Sequence, residues 1–278
     1  MPRINRIEYY GAYYHIIQRG VNQEYIFKAP GDKSYLLEMV SDAKEQFDFK
    51  IFAYAIMGNH YHLFIQALNV PISKIMHQIN TRYAIYYNKK YEKVGHVFES
   101  RYKGILVQDD SYFVTLIKYI HNNPVAAGIC DSIEEYKWSS DMFYRRNIDN
   151  IVDIDEFLNI LSPNRLKAIE KYIELMEEDN IDQENLMDLY ENSDIIGAED
   201  FIRKIREEGD PRLSLDEILE KVCPSLEEFN LIKSGSRLRD LTVYKKEYIA
   251  LAKEAGYSTI EIGENIGVTS QAIQNMMK

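Results

Sequence analysis

Two short stretches of this sequence place residues in spacings that can do chemistry. The first is Gly58-Asn59-His60-Tyr61-His62-Leu63-Phe64-Ile65-Gln66. In an extended strand alternate side chains face the same way, so His60, His62 and Gln66 share one face while Tyr61, Leu63 and Ile65 take the other. Such neighbours lie about 7 Å apart, which lets two imidazoles hold one divalent cation. A single strand histidine more often serves structure, but two on one face, backed by an apolar opposite face, give a ligand role equal weight. The second stretch is Lys118-Tyr119-Ile120-His121-Asn122-Asn123-Pro124. On a helix Tyr119 and Asn123 are one turn apart and adjacent. An amide that completes a cation's shell beside a phenol that attacks phosphorus is an arrangement phosphoryl transfer can use. Pro124 disfavours helical geometry at Asn123, so the pairing requires the last helical turn to survive. The chain has 22 tyrosines, and chemistry alone does not single out Tyr119.

The elements that must position these residues follow from periodicity. Residues 12–19 pattern as a strand, and residues 32–47 as an amphipathic helix with Leu36, Met39, Val40 and Ala43 on one side. Two apolar runs of strand length, 50–57 and 60–67, flank Gly58-Asn59 and predict an antiparallel pair. After Pro71, which suits a first helical turn, Ile72, Ile75, Met76, Ile79 and Tyr83 recur at helical spacing. Residues 104–107 predict another strand. Asp110-Ser111 can cap a helix that runs to about Asn122 and stops at Pro124. The expected fold class is α+β for residues 1–147, followed by a helical C-terminal part.

Charge divides the chain. The net charge is -11, yet residues 1–147 hold 18 Lys+Arg against 15 Asp+Glu, leaving 15 against 29 for the remainder. Segmental asymmetry says more about partners than the total, so an acidic chain does not exclude a nucleic acid. Residues 151–240 are acidic and helical in pattern, with Leu158, Leu161, Leu166, Ile169 and Ile173 among the apolar positions; they read as a solvated helical spacer with a small core of its own. Residues 241–278 read as a helix-turn-helix: one helix over 259–266, a turn at Gly267-Val268 and a second helix over 269–277, with Ile262, Ile266, Val268 and Ile273 as its core. Thr269, Ser270, Gln271 and Gln274 are its candidate DNA-facing residues; a helical hairpin that touches no DNA is the alternative. There is no apolar run of membrane-spanning length, and Cys130 and Cys223 are in no ligand spacing. A soluble chain in a reducing cytoplasm, with no membrane partner, is the expectation.

Five segments, in order, resemble the HUH endonuclease superfamily, and within it the single-tyrosine transposases of the insertion-sequence and repeat-associated type. They are Tyr14-His15-Ile16-Ile17-Gln18-Arg19-Gly20-Val21-Asn22, Met57-Gly58-Asn59-His60-Tyr61-His62, Gly95-His96-Val97-Phe98-Glu99-Ser100-Arg101-Tyr102-Lys103, Lys118 to Gly128, and Tyr136-Lys137-Trp138-Ser139-Ser140. The resemblance covers residues 10–147 and is closer to the repeat-associated branch, where the tyrosine precedes a run ending in Asn-Pro.

The resemblance implies a ferredoxin-like sandwich with a central antiparallel sheet. It implies that His60, His62 and Asn123 ligate Mg²⁺ or Mn²⁺, that Tyr119 is the nucleophile, and that single-stranded DNA beside a hairpin is cleaved and rejoined through a 5′-phosphotyrosine. It also allows a homodimer. Two imidazoles suit Mn²⁺ or Zn²⁺ as well as Mg²⁺, so the ion stays open. Arg19, Arg101 and Lys103 lie in matching segments and are the candidate phosphate contacts. They belong to a wider set in which Arg82, Lys89, Lys90 and Lys93 interleave with tyrosines, as in single-strand binders. A DNA-binding protein with an idle HUH site, working through the C-terminal helices, is the competing reading.

Overall fold

The alternating and helical patterns of the first half resolve into strand β1 (Tyr13–Arg19), helix α1 (Pro30–Phe47), β2 (Phe49–Ile56), β3 (His60–Ala67), α2 (Ile72–Tyr91), β4 (Lys103–Val107) and α3 (Phe113–Ala126). The structure is a computed structural model that describes residues 7–277 apart from 69, 109–111, 149, 179–187, 210–211, 237 and 258. The anticipated cap at Asp110-Ser111 therefore lies outside the described residues. Helix α1 opens at Pro30, where a missing N–H costs nothing, and the Asp32 carboxylate accepts from Ala29 N at 2.8 Å. It closes at Asp48, whose left-handed φ of 48° turns the chain directly into β2. The buried Asp32 also accepts from Lys90, Tyr86 and Tyr91 and so ties α1 to α2.

The sheet order is β2-β3-β1-β4, antiparallel throughout, and a short β5 (Ile195–Ile196) adds in parallel to the β4 edge. With α1 and α2 as the connecting helices, this is the ferredoxin-like order. Pleating sends alternate residues to two faces. Tyr61 meets α2 on one face, its hydroxyl donating to Asn80 Oδ1 at 2.5 Å. Tyr13, Phe52 and Phe64 meet Phe113 of α3 on the other, with ring centroids 4.7–5.0 Å from it. The core positions expected on α1 and α2 are all buried.

Two expectations fail. Helix α3 does not stop at Pro124 but carries it internally and runs to Ala126. Proline lacks an N–H and crowds the carbonyl one turn before it, yet here the helix is closed beyond it by Ala127 N to Asn123 O (3.0 Å) and Ile129 N to Pro124 O (2.9 Å), with Gly128 left-handed. Nor do residues 151–240 form a spacer with its own core. Beyond α4 (Asp141–Arg146), α5 (Ile154–Leu161) and α6 (Arg165–Glu177) bury Phe157, Leu158, Ala168, Tyr172 and Met176 in the same core as the sheet. A helical turn (Asp188–Asn192), β5 and α7 (Glu199–Glu208) follow, and Tyr190, Ile196 and Ile205 join that core as well. Leu166 is instead 72% exposed. Exposed acids on the outer helix faces gave the segment its solvated composition, while its apolar stripe has the first domain as partner.

The chain divides between Glu207 and Glu208, where the sequence reading set boundaries near 147–151 and at 240. The second unit comprises α8 (Leu215–Val222), α9 (Leu226–Lys233), α10 (Thr242–Glu254), α11 (Thr259–Asn265) and α12 (Ser270–Met276). Its core draws Ile218, Leu219 and Ile232 from the helices before residue 241 and Tyr248, Ile249, Ile262, Ile266 and Ile273 from those after. A unit starting at 241 would lack four of the eleven buried residues of this core. Helices α11 and α12 match the anticipated pair, and Gly267 turns between them at φ 65°. Among the described residues no helix is long and apolar enough to cross a membrane.

Candidate active site

The two central strands bring three histidines to the face covered by α3. The register sets Ile17 opposite His62 and Arg19 opposite His60, so His15, two residues from Ile17, sits diagonally beside His62. His15 Nε2 and His62 Nδ1 are 2.9 Å apart, and their rings stack at 5.1 Å and 16°. One nitrogen of this pair carries the shared proton. His60 Nδ1 is 2.7 Å from Asn59 Oδ1, which must accept there, so the His60 proton is on Nδ1. The Nδ1 side of both His60 and His62 is thus held, and Nε2 is the nitrogen left for a ligand. In His62 that Nε2 is buried with no hydrogen-bond partner among the described residues. An anchored Nδ1 with an open Nε2 is how metal-binding imidazoles are oriented.

The electrostatics agree with this geometry. Burial, then Arg19, brings His60 down to about 4; burial brings His15 down to about 3. His62 falls well below its ordinary value through burial and the neighbouring His60 and His15. All three are neutral at pH 7, the state in which imidazole ligates.

Helix α3 lays Tyr119 across this group. Its ring stands edge-on to His15 at 5.9 Å and 81° and to His62 at 6.0 Å and 85°. Asn123, still helical because α3 continues past Pro124, lies one turn on, and its Nδ2 donates to the Tyr119 carbonyl at 3.3 Å. Burial first and the Glu191 carboxylate second hold the Tyr119 phenol well above its ordinary value, opposed by the Asn123 amide and Arg19. Among the described residues no three His, Cys, Asp or Glu side chains form a cation cage. Asn123 is the amide one turn beyond Tyr119 on the same helix.

Three side chains that sequence reasoning missed complete the site. His15 stands two strand positions from a histidine-rich neighbour, a signal visible only once β1 and β3 are paired. Tyr190 and Glu191 come from the acidic middle region. The Tyr190 ring lies 5.1 Å from that of Tyr119. Tyr119 Oη donates to Glu191 Oε1 at 2.8 Å, and the other carboxylate oxygen pairs with Arg19. Lys103 Nζ donates to the Glu191 carbonyl at 2.6 Å. Arg19, Arg101, Lys103 and Glu191 line one recess of about 130 Å³, so the structure gathers the three cations singled out in the first domain.

In the second unit, Thr269 caps α12 by accepting from Ala272 N at 3.2 Å, and Ser270 Oγ is 2.8 Å from Thr259 Oγ1. The first fixes the start of α12 and the second joins it to α11. Gln271 and Gln274 are exposed.

Residues 8–123 match the family model described as Transposase IS200 like. A solved structure described as a REP-associated tyrosine transposase bound to a REP hairpin is similar to 56% of this chain and 93% of its own, at 14% identity and a TM-score of 0.46. No curated protein matches the chain in sequence. The family segment spans β1 to β4 and reaches Asn123 on α3. Over those residues the chain is similar to the IS200-like transposase family.

Proposed function

We propose that this protein cleaves and rejoins single-stranded DNA through Tyr119, with His60, His62 and Asn123 holding Mg²⁺ or Mn²⁺. The observation that supports it most is the placement of Tyr119 edge-on against His62, whose Nε2 is buried with no hydrogen-bond partner among the described residues. A bound divalent ion would neutralise charge on the scissile phosphate and orient it for in-line attack. Tyr119 Oη attacks phosphorus and gives up its proton; the bond from phosphorus to the 3′ oxygen breaks, and that oxygen leaves as a 3′-OH once protonated. The 5′-phosphotyrosine keeps the phosphodiester energy, so a second 3′-OH can reverse the step without ATP. Arg19 and Lys103 supply fixed positive charge beside the nucleophile, and Arg101 extends it along the recess. A hairpin next to the single strand is the substrate form the family resemblance implies, and Gln271 and Gln274 are the side chains we assign to duplex contacts.

The test is incubation of the full chain with Mn²⁺ and a pool of oligonucleotides carrying a hairpin and a single-stranded flank, followed by denaturing gels and peptide mass spectrometry. A DNA adduct on Tyr119 is expected, lost in Tyr119→Phe with affinity nearly intact. An adduct persisting in Tyr119→Phe would move the nucleophile elsewhere. Tight binding with no adduct at any oligonucleotide would favour a DNA-binding protein with an idle site.

A further inference from the structure

We infer that the segment from Asp188 to Ile196 is a built-in cap on the catalytic site, with the Glu191 carboxylate standing where the scissile phosphate must go. The inference rests on the reading of Tyr119 as the nucleophile. In the closed arrangement Tyr119 is 2% exposed and His62 is fully buried. A nucleophile and a cation ligand in that condition cannot meet a DNA strand. What covers them is specific. Tyr190 is itself fully buried against Tyr119 and stands edge-on to His15 at 6.3 Å. One Glu191 oxygen takes the Tyr119 hydroxyl proton at 2.8 Å, and the other takes Arg19. Its main-chain carbonyl takes Lys103. These are the groups that a phosphodiester would engage, and a carboxylate is an anion of the same charge with two acceptor oxygens.

The far end of the cap pairs with the edge of β4 through the two-residue β5, by Leu106 N to Asp194 O at 3.0 Å and Gln108 N to Ile196 O at 2.9 Å, a short attachment beside the sheet. The Arg19–Glu191 pair is half open to water, since the Arg19 side chain is 42% exposed, which makes it a contact that an incoming polyanion can exchange. Binding of a strand then requires opening, and the apparent affinity is reduced by the closed fraction. A role for Glu191 as the base that deprotonates Tyr119 uses the same hydrogen bond but predicts the opposite response to its removal.

The experiment uses the full chain, as wild type, Glu191→Gln and Glu191→Ala, with one hairpin oligonucleotide bearing a single-stranded flank. Fluorescence anisotropy reads affinity, adduct formation with Mn²⁺ reads reaction, and hydrogen exchange reads the 188–196 amides with and without DNA. Loss of a charge-assisted hydrogen bond is worth roughly tenfold in a binding constant. Both variants should bind about tenfold tighter, form adduct faster, and show faster exchange over 188–196 without DNA; in the wild type saturating DNA should raise exchange there. Affinity unchanged or weaker in both variants, or slower adduct formation, would overturn the cap and leave Glu191 as base or scaffold. Exchange unmoved by saturating DNA would overturn it too. If affinity and exchange rise as stated but no protein forms an adduct, the cap stands and the phosphotyrosine reading falls.

Discussion

Replacing His15 with phenylalanine isolates one physical claim, that a neighbouring imidazole orients the cation ligand His62. The two rings are stacked and fully buried, joined by a 2.9 Å bond between His15 Nε2 and His62 Nδ1. Phenylalanine keeps the ring stacking but removes the hydrogen-bond partner. A buried polar group left unsatisfied costs about 1–3 kcal/mol, so urea unfolding should show a loss of that size. The effect on the ion should be separate: losing the partner that orients a metal-binding imidazole costs roughly 10–100-fold in affinity, or about 1.4–2.8 kcal/mol. Calorimetric titration of Mn²⁺ into the folded full chain measures this without any DNA. His15→Gln, whose amide can reach the His62 ring, should recover part of both losses. Mn²⁺ affinity in folded His15→Phe within about twofold of wild type would refute the claim and reduce His15 to packing.

Other consequences are open to measurement. His60→Ala should abolish Mn²⁺-dependent cleavage while leaving the sheet intact by circular dichroism; unchanged cleavage would discard the ligand assignment. Buried His121, between Ser140 Oγ at 2.6 Å and Tyr172 Oη at 2.9 Å, is held down to about 4 from 6.5 by burial, against a raising effect of Asp141. Below pH 6.5 the unfolded chain gains a proton that the folded one refuses until about pH 4. The His121 contribution is therefore full above pH 6.5, and about 3 kcal/mol of it is lost between those values; urea midpoints of His121→Gln should fall less steeply. A β-carbon at Gly263 would lie 2.6 Å from the Val268 carbonyl oxygen, so Gly263→Ala should destabilise the second unit by roughly 1–3 kcal/mol in thermal melts. Removing residues 209–278 should weaken target selection while cleavage of excess oligonucleotide continues. A cut at 241 would instead strip the cover from Ile218, Leu219 and Ile232.

The sequence by itself determined whatever depends on local periodicity. The alternation in β3 put His60 and His62 on one face, and the apolar positions of α1 and α2 fixed their buried sides, because a side chain's direction on a strand or helix follows from its place in the repeat. The strand-helix order likewise sufficed for the α+β class, and the turn at Gly267 for the last helix pair. What only the tertiary structure decided depends on contacts between distant segments. His15 becomes a partner of His62 through strand register, 47 residues apart. Asn123 stays helical beside Tyr119 because the turn beyond Pro124 is closed by other bonds. Glu191 meets Tyr119 across 72 residues, from a stretch whose acidic composition marks it as a solvated face. Composition records how much of a segment faces water, not which of its few buried residues are aimed at another element. The resemblance therefore proposed Tyr119 as nucleophile and His60, His62 and Asn123 as cation ligands, and folding alone brought the Glu191 carboxylate onto Tyr119.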